Sequence, residues 1–117
     1  MKEIDTTLCI CGKPGIAGFR NGDLSEARFS DIQGILMLPK DENLGDSSFL
    51  ISEQHQIRLV NMKDKVVTTF FSAQLQNPKG MALYKNSILV CDSQQHKIKM
   101  ISMDGRRISN FAGTGNR

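Results

Sequence analysis

The chain has 117 residues, 39% hydrophobic and 23% charged, with a formal net charge of +3, a balance that excludes a disordered tail and fits one ordinary globular domain. No run of about 18 uncharged apolar residues occurs and Met1-Lys2-Glu3-Ile4-Asp5 lacks the apolar core of a signal peptide, so no membrane segment is predicted and an intracellular protein, cytoplasmic or nuclear, is expected. An odd cysteine count, Cys9, Cys11 and Cys91, fits small buried thiols in a reducing compartment.

Helical periodicity is missing, and short apolar runs alternating with period two between turn residues predict an all-β meander. In chain order, a first strand is expected at residues 6–10, where Asp5-Thr6-Thr7-Leu8 echoes Thr68-Thr69-Phe70-Phe71. A glycine-containing connection follows, and then strands at 33–38, 49–52, 56–61 and 66–71. Between the first two of these lies Pro39 to Ser48, polar and acidic as a surface loop should be, and Lys63-Asp64-Lys65 marks a tight turn before the last. A second set is predicted at 80–84, 87–91, 98–103 and 107–111. Its final hairpin is signalled by Asp104-Gly105, because glycine accepts the positive φ of a tight turn.

The two sets are copies. His55-Gln56-Ile57-Arg58-Leu59-Val60 and His96-Lys97-Ile98-Lys99-Met100-Ile101 stand 41 residues apart, and the same offset carries Val67-Thr68-Thr69-Phe70 onto Ile108-Ser109-Asn110-Phe111. Gly34-Ile35 maps onto Gly80-Met81 at 46, the difference reflecting the longer loop in the first copy. The organisation expected is therefore 1–12 as the last strand of a preceding unit, 13–72 and 73–112 as two four-stranded units, and 113–117 as the start of another connection. A four-stranded sheet with two apolar faces and two open edges is stable only when neighbours stack on it, which points to β-propeller blades and to an incomplete propeller of about two blades plus one strand.

Two phrases carry a resemblance. Gly18-Phe19-Arg20-Asn21-Gly22-Asp23-Leu24-Ser25-Glu26-Ala27-Arg28-Phe29, followed by Ile32-Gln33-Gly34-Ile35, resembles the glycine-rich connection, Ala-Arg-Phe and Pro-x-Gly-Ile of the NHL repeat, with Gln33 where the proline would sit. Asn77-Pro78-Lys79-Gly80-Met81-Ala82 restores that proline. Val90-Cys91-Asp92-Ser93-Gln94-Gln95-His96-Lys97-Ile98-Lys99 is similar to the repeat's second phrase with Gln95 replacing Asn, and Ile51-Ser52-Glu53-Gln54-His55-Gln56-Ile57-Arg58 is two residues shorter there. The resemblance covers nearly all of residues 6–115. It implies that each copy is an NHL blade, and that the chain needs further blades, from a longer product or from a ring of identical copies.

The residues themselves suggest roles. Gly34 and Gly80 would begin the innermost strand, where blades crowd and a side chain would collide. Asp92 is placed to organise the turn ending at His96, while Phe70 and Phe111 would fill the space between blades. NHL propellers are similar to binding scaffolds for protein or RNA and, in a minority, to zinc-dependent lyases. His55 and His96 occupy ordinary repeat positions, and a catalytic zinc needs three protein ligands with an open position. Neither a metal nor another cofactor is expected, and no nucleophile motif surrounds Ser52, Ser93 or Ser102.

Charge is uneven along the chain. Residues 1–50 carry five basic and eight acidic groups, whereas residues 79–117 carry seven basic groups against Asp92 and Asp104. Lys79, Lys85, Lys97, Lys99, Arg106 and Arg107 are thus the candidate contacts for RNA or an acidic partner, since clustered cations release counterions from phosphate backbones. With one tyrosine and no tryptophan for base stacking, RNA ranks second and a non-catalytic protein-binding scaffold first, ahead of a zinc lyase.

Overall fold

Alternating apolar side chains become nine strands in the computed structural model, which describes residues 21–113. They are β1 (Gly22–Asp23), β2 (Gly34–Met37), β3 (Phe49–Ser52), β4 (Ile57–Asn61), β5 (Val66–Phe71), β6 (Pro78–Tyr84), β7 (Ser87–Asp92), β8 (Lys97–Ser102) and β9 (Ile108–Ala112). They form two antiparallel sheets, one in the order β1-β5-β4-β3-β2 and one in the order β6-β7-β8-β9. The fold is all-β, without a closed barrel among the described residues, and is consistent with part of a β-propeller. No helix of the described residues is long and apolar enough to cross a membrane.

All eight strands expected between residues 33 and 111 are present. β6 starts two residues ahead of the expected Gly80, because Pro78 pairs with Asp92 before the register shifts on the way to Met81↔Val90. β1 was not expected: it pairs Gly22 with Val67 and Asp23 with Val66 at the outer edge of the first sheet, giving that sheet a fifth strand. The strand expected at 6–10, and with it the unit 1–12, lies outside the described residues, as do residues 114–117.

Two apolar layers hold the sheets. The seam between them is built from Leu38, Leu50 and Ile57 on the first sheet and Leu75, Ile88, Val90 and Ile101 on the second, with Phe70, Phe71, Met81 and Met103 packed around. On its other face the first sheet buries Phe49, Ile51, Val60 and Val67 beneath Ala27, helped by Leu24 and Phe29 from the segment leading into β2. Each fully buried aliphatic side chain contributes about 1.5–3 kcal/mol relative to exposure.

Gly34 sits at the tightest point of the seam. A Cβ there would lie 2.6 Å from the Lys79 carbonyl oxygen and 3.0 Å from Ser52 Oγ, while the Ser52 hydroxyl donates to that same carbonyl at 2.7 Å. The crowding expected at Gly34 is therefore real. At Gly80 it is not, since a Cβ would meet nothing within 4 Å; the space a following sheet would take is open.

This asymmetry makes a test. Gly34→Ala should lower stability by about 1–3 kcal/mol, the usual result of overpacking, whereas Gly80→Ala, relieving an unfavourable glycine in a strand, should not lower it. Urea unfolding of both variants, at a dilution where the chain is monomeric, checks the pair, and equal losses would contradict the assignment of the seam.

Candidate functional site

A charged side chain can be removed from water only if it finds a partner and hydrogen bonds. Each sheet contains one such arrangement, at the end where the chain leads into the innermost strand. In the first, the fully buried Glu53, just past β3, meets Arg58 of β4 at 2.9 Å. Glu53 Oε2 accepts the Ser30 backbone N–H at 2.7 Å, and Arg58 Nη1 donates to the Arg28 carbonyl at 2.9 Å. Arg58 Nε also donates to Asn21 Oδ1, and its guanidinium lies 4.9 Å from the centroid of the Phe29 ring.

The second sheet repeats this with different residues. Asp92 at the end of β7 is fully buried and pairs with Lys99 of β8 at 3.2 Å. Its carboxylate accepts the backbone N–H groups of Gln76 and Asn77, at 3.0 and 2.8 Å, and Lys99 Nζ donates to the Gln74 carbonyl. Ser30 and Gln76, like Arg28 and Gln74, are separated by the 46 residues that separate Gly34 from Gly80. The two copies thus clamp the same two backbone positions. Glu53, with its longer side chain, needs a turn two residues shorter than the one following Asp92.

Asp92 therefore does not organise the turn ending at His96 through its side chain, as expected from sequence; only its backbone carbonyl serves that turn, accepting from Gln95 at 3.2 Å. The carboxylate reaches back to Gln76 and Asn77, and the turn is closed instead by Ser93 and by the positive φ of His96, 55°. Glu53 was missed altogether. Its signal is an acid at the end of an apolar strand with a base on the next strand, hidden by the two-residue difference between the copies.

The joint between the sheets uses groups beside the first clamp. His55 Nδ1–H donates to the Gln76 carbonyl at 2.7 Å, which fixes the proton on that nitrogen because a carbonyl only accepts. With Ser52 on the Lys79 carbonyl, it ties residues 76–79 across Ile57, which is wholly buried. On the second sheet the same place is an open cleft of about 380 Å³, lined among others by Cys91, Ser93, His96, Lys97 and Ile98. Ile98, the counterpart of Ile57, is 37% exposed. Phe111, the counterpart of half-buried Phe70, is 45% exposed and packs edge-on against Tyr84 with ring centroids 5.1 Å apart. At the opposite end of the molecule Ile35 and Met37 of β2 are 61% and 53% exposed.

The six basic candidates do not form one surface. Lys99 is buried in its pair with Asp92 and is unavailable to an external partner; strand alternation turns it inward, onto the first sheet. Lys79 and Lys97 lie at the end of the second sheet where β6 and β8 begin. Lys85, in the β6–β7 turn, and Arg106 and Arg107, in the β8–β9 turn, lie at the other end, a six-residue strand or about 20 Å away. The Asp104 carboxyl in that turn is held below its ordinary range by the Ser102 hydroxyl, and next by the Arg106 backbone N–H. His55 and His96 belong to different sheets, and among the described residues no three of histidine, cysteine, aspartate and glutamate are grouped to hold a metal.

No protein-family description matches the chain, and no curated protein matches it. Among solved structures it is similar to a structural-genomics protein of unknown function from Bacteroides thetaiotaomicron, at 20% identity and a TM-score of 0.67 over 88% of this chain. The chain spans about a quarter of the length of that protein, 25%. The likeness is one of fold.

Removing one partner of a buried pair leaves an uncompensated charge. Lys99→Met and Arg58→Met should each cost about 3–5 kcal/mol. Asp92→Asn in the Lys99→Met background should recover part of that loss, because a neutral amide can still accept from Gln76 and Asn77 without a buried charge. Denaturant titration of the single and double variants checks this; additive losses would contradict coupling.

Proposed function

We propose that the chain is a segment of an NHL-type β-propeller that serves as a non-catalytic scaffold for protein binding. The observation that carries the reading is the contrast between Ile57 and Ile98. Equivalent side chains in the two copies are buried under a neighbouring sheet in one case and open to solvent in the other. Tyr84 and Phe111, in contact with each other, are exposed on the same sheet as Ile98, and uncovered apolar side chains of this kind mark an interaction surface on a folded domain.

The NHL phrases add support, because both clamps fall on them. Glu53 and Arg58, like Asp92 and Lys99, sit within the strand-end phrase, and the backbone they hold belongs to the phrase leading into the innermost strand. An RNA-binding role gains nothing from the basic side chains, which divide between the two ends of the second sheet with Lys99 withdrawn into the seam.

Filter binding of single-stranded RNA across a salt series separates protein from RNA as partner. The expected result is no retention that depends on salt. A retained complex whose affinity falls steeply as salt rises, the mark of phosphate neutralisation, would replace the scaffold reading with the RNA one.

A further inference from the structure

Among the described residues, the two sheet faces that no neighbour covers are the two halves of the joint that already exists between the sheets. Within the chain, residues 76–83 of the second sheet fill the face of the first: the Gln76 carbonyl on His55, the Lys79 carbonyl on Ser52 and against Gly34, and Met81 in the apolar seam. By the repeat offset, the residues corresponding to 76, 79, 81 and 83 in the first unit are Ser30, Gln33, Ile35 and Met37. Ile35 and Met37 are exposed. The surface corresponding to Ser52, His55, Ile57 and Gly34 in the second unit is Cys91, His96, Ile98 and Gly80; the first three line the open cleft, and a Cβ at Gly80 would meet nothing within 4 Å.

We propose that the chain associates head to tail with further copies of itself, residues 30–37 of one copy seated in the Gly80–Ile98 face of the next. This rests on the scaffold reading and names its partner. In the joint, the Gln33 carbonyl comes against Gly80 as the Lys79 carbonyl does against Gly34, the Ser30 carbonyl meets His96, and Ile35, the counterpart of Met81, covers Ile98. The existing inter-sheet contact is thereby continued from chain to chain.

Charge favours the same pairing. Among the described residues, 21–50, which hold the inserted segment, carry six acidic against two basic groups, and 79–113, which hold the receiving face, carry five basic groups against Asp104 once the buried Lys99–Asp92 pair is set aside. Head-to-tail contact sets unlike halves side by side, whereas a symmetric contact between two Ile98 faces would set basic against basic. A heterologous contact either closes into a ring or runs on as a filament.

Light scattering on the purified chain over a range of concentrations is expected to give a multiple of the 13.0 kDa chain mass. Gly80→Val, filling the space that the neighbour's carbonyl would occupy, should return the protein to monomer, with the unfolding midpoint that the unsubstituted chain shows when diluted to monomer. A photo-reactive phenylalanine analogue in place of Phe111 should cross-link to residues 62–64 of another copy, the counterparts of the 103–105 turn that lies against Phe70. A monomer at every concentration, or an oligomer that Gly80→Val leaves intact, overturns the proposal. If position 111 instead cross-links to a different protein in cell extract, self-association fails and the scaffold reading stands. If it cross-links to neither, both fail.

Discussion

In each sheet a buried carboxylate paired with a buried cation holds the backbone on its way into the innermost strand, and the arrangement of the whole depends on that clamp. Leading segments have no ladder of their own, so their N–H and C=O groups must be satisfied some other way once they are covered. Glu53 and Asp92 supply acceptors for Ser30, Gln76 and Asn77, and Arg58 and Lys99 supply donors for Arg28 and Gln74. A buried ion pair is a weak source of net stability, because desolvation offsets most of the attraction. Its effect here is positional: it sets the level at which the innermost strand begins, and with it the placement of Gly34 under the Lys79 carbonyl.

That placement leads to the joint between sheets. The second lead-in segment is held on one side by Asp92 of its own sheet and on the other by His55 and Ser52 of the preceding one. The apolar seam then closes over Leu50, Ile57, Ile88 and Val90. Local charge, hydrogen bonding across the seam and apolar burial therefore agree on one geometry, as expected of a sequence whose levels are mutually consistent. The second sheet ends with the same equipment uncovered, and its exposed Ile98 and Phe111 follow from the absence of a neighbour among the described residues, not from a different sequence pattern.

Much of the fold was legible because a strand reveals itself locally. Alternation located the strands between residues 33 and 111 to within a residue or two, Asp104-Gly105 marked a real turn with Gly105 at positive φ, and the polar run from Pro39 to Ser48 is indeed a connection. The pairing of β1 with β5 was not legible, since two residues carry no periodicity and their partner lies more than forty positions away. Alternation also shows that Lys97 and Lys99 lie on opposite sides of β8 from their neighbours without saying which side is buried. By sequence Lys99 is therefore a surface cation, whereas the fold buries it against Asp92 and the Gln74 carbonyl. Gly80 was read by analogy with Gly34, and the analogy holds for the chain but not for its surroundings.

The clamp is tested most directly by amide hydrogen exchange at the groups it holds. Ser30, Gln76 and Asn77 lie outside the regular ladder hydrogen bonds of β2 and the central part of β6. If Glu53 and Asp92 bind their N–H groups in the folded protein, these amides should exchange as slowly as those of β3, β4, β7 and β8, through the same opening of the sheets. Exchange at the rate of the exposed turn at Lys63 to Lys65 would show that the lead-in segments are not held by the buried carboxylates, and would contradict the account.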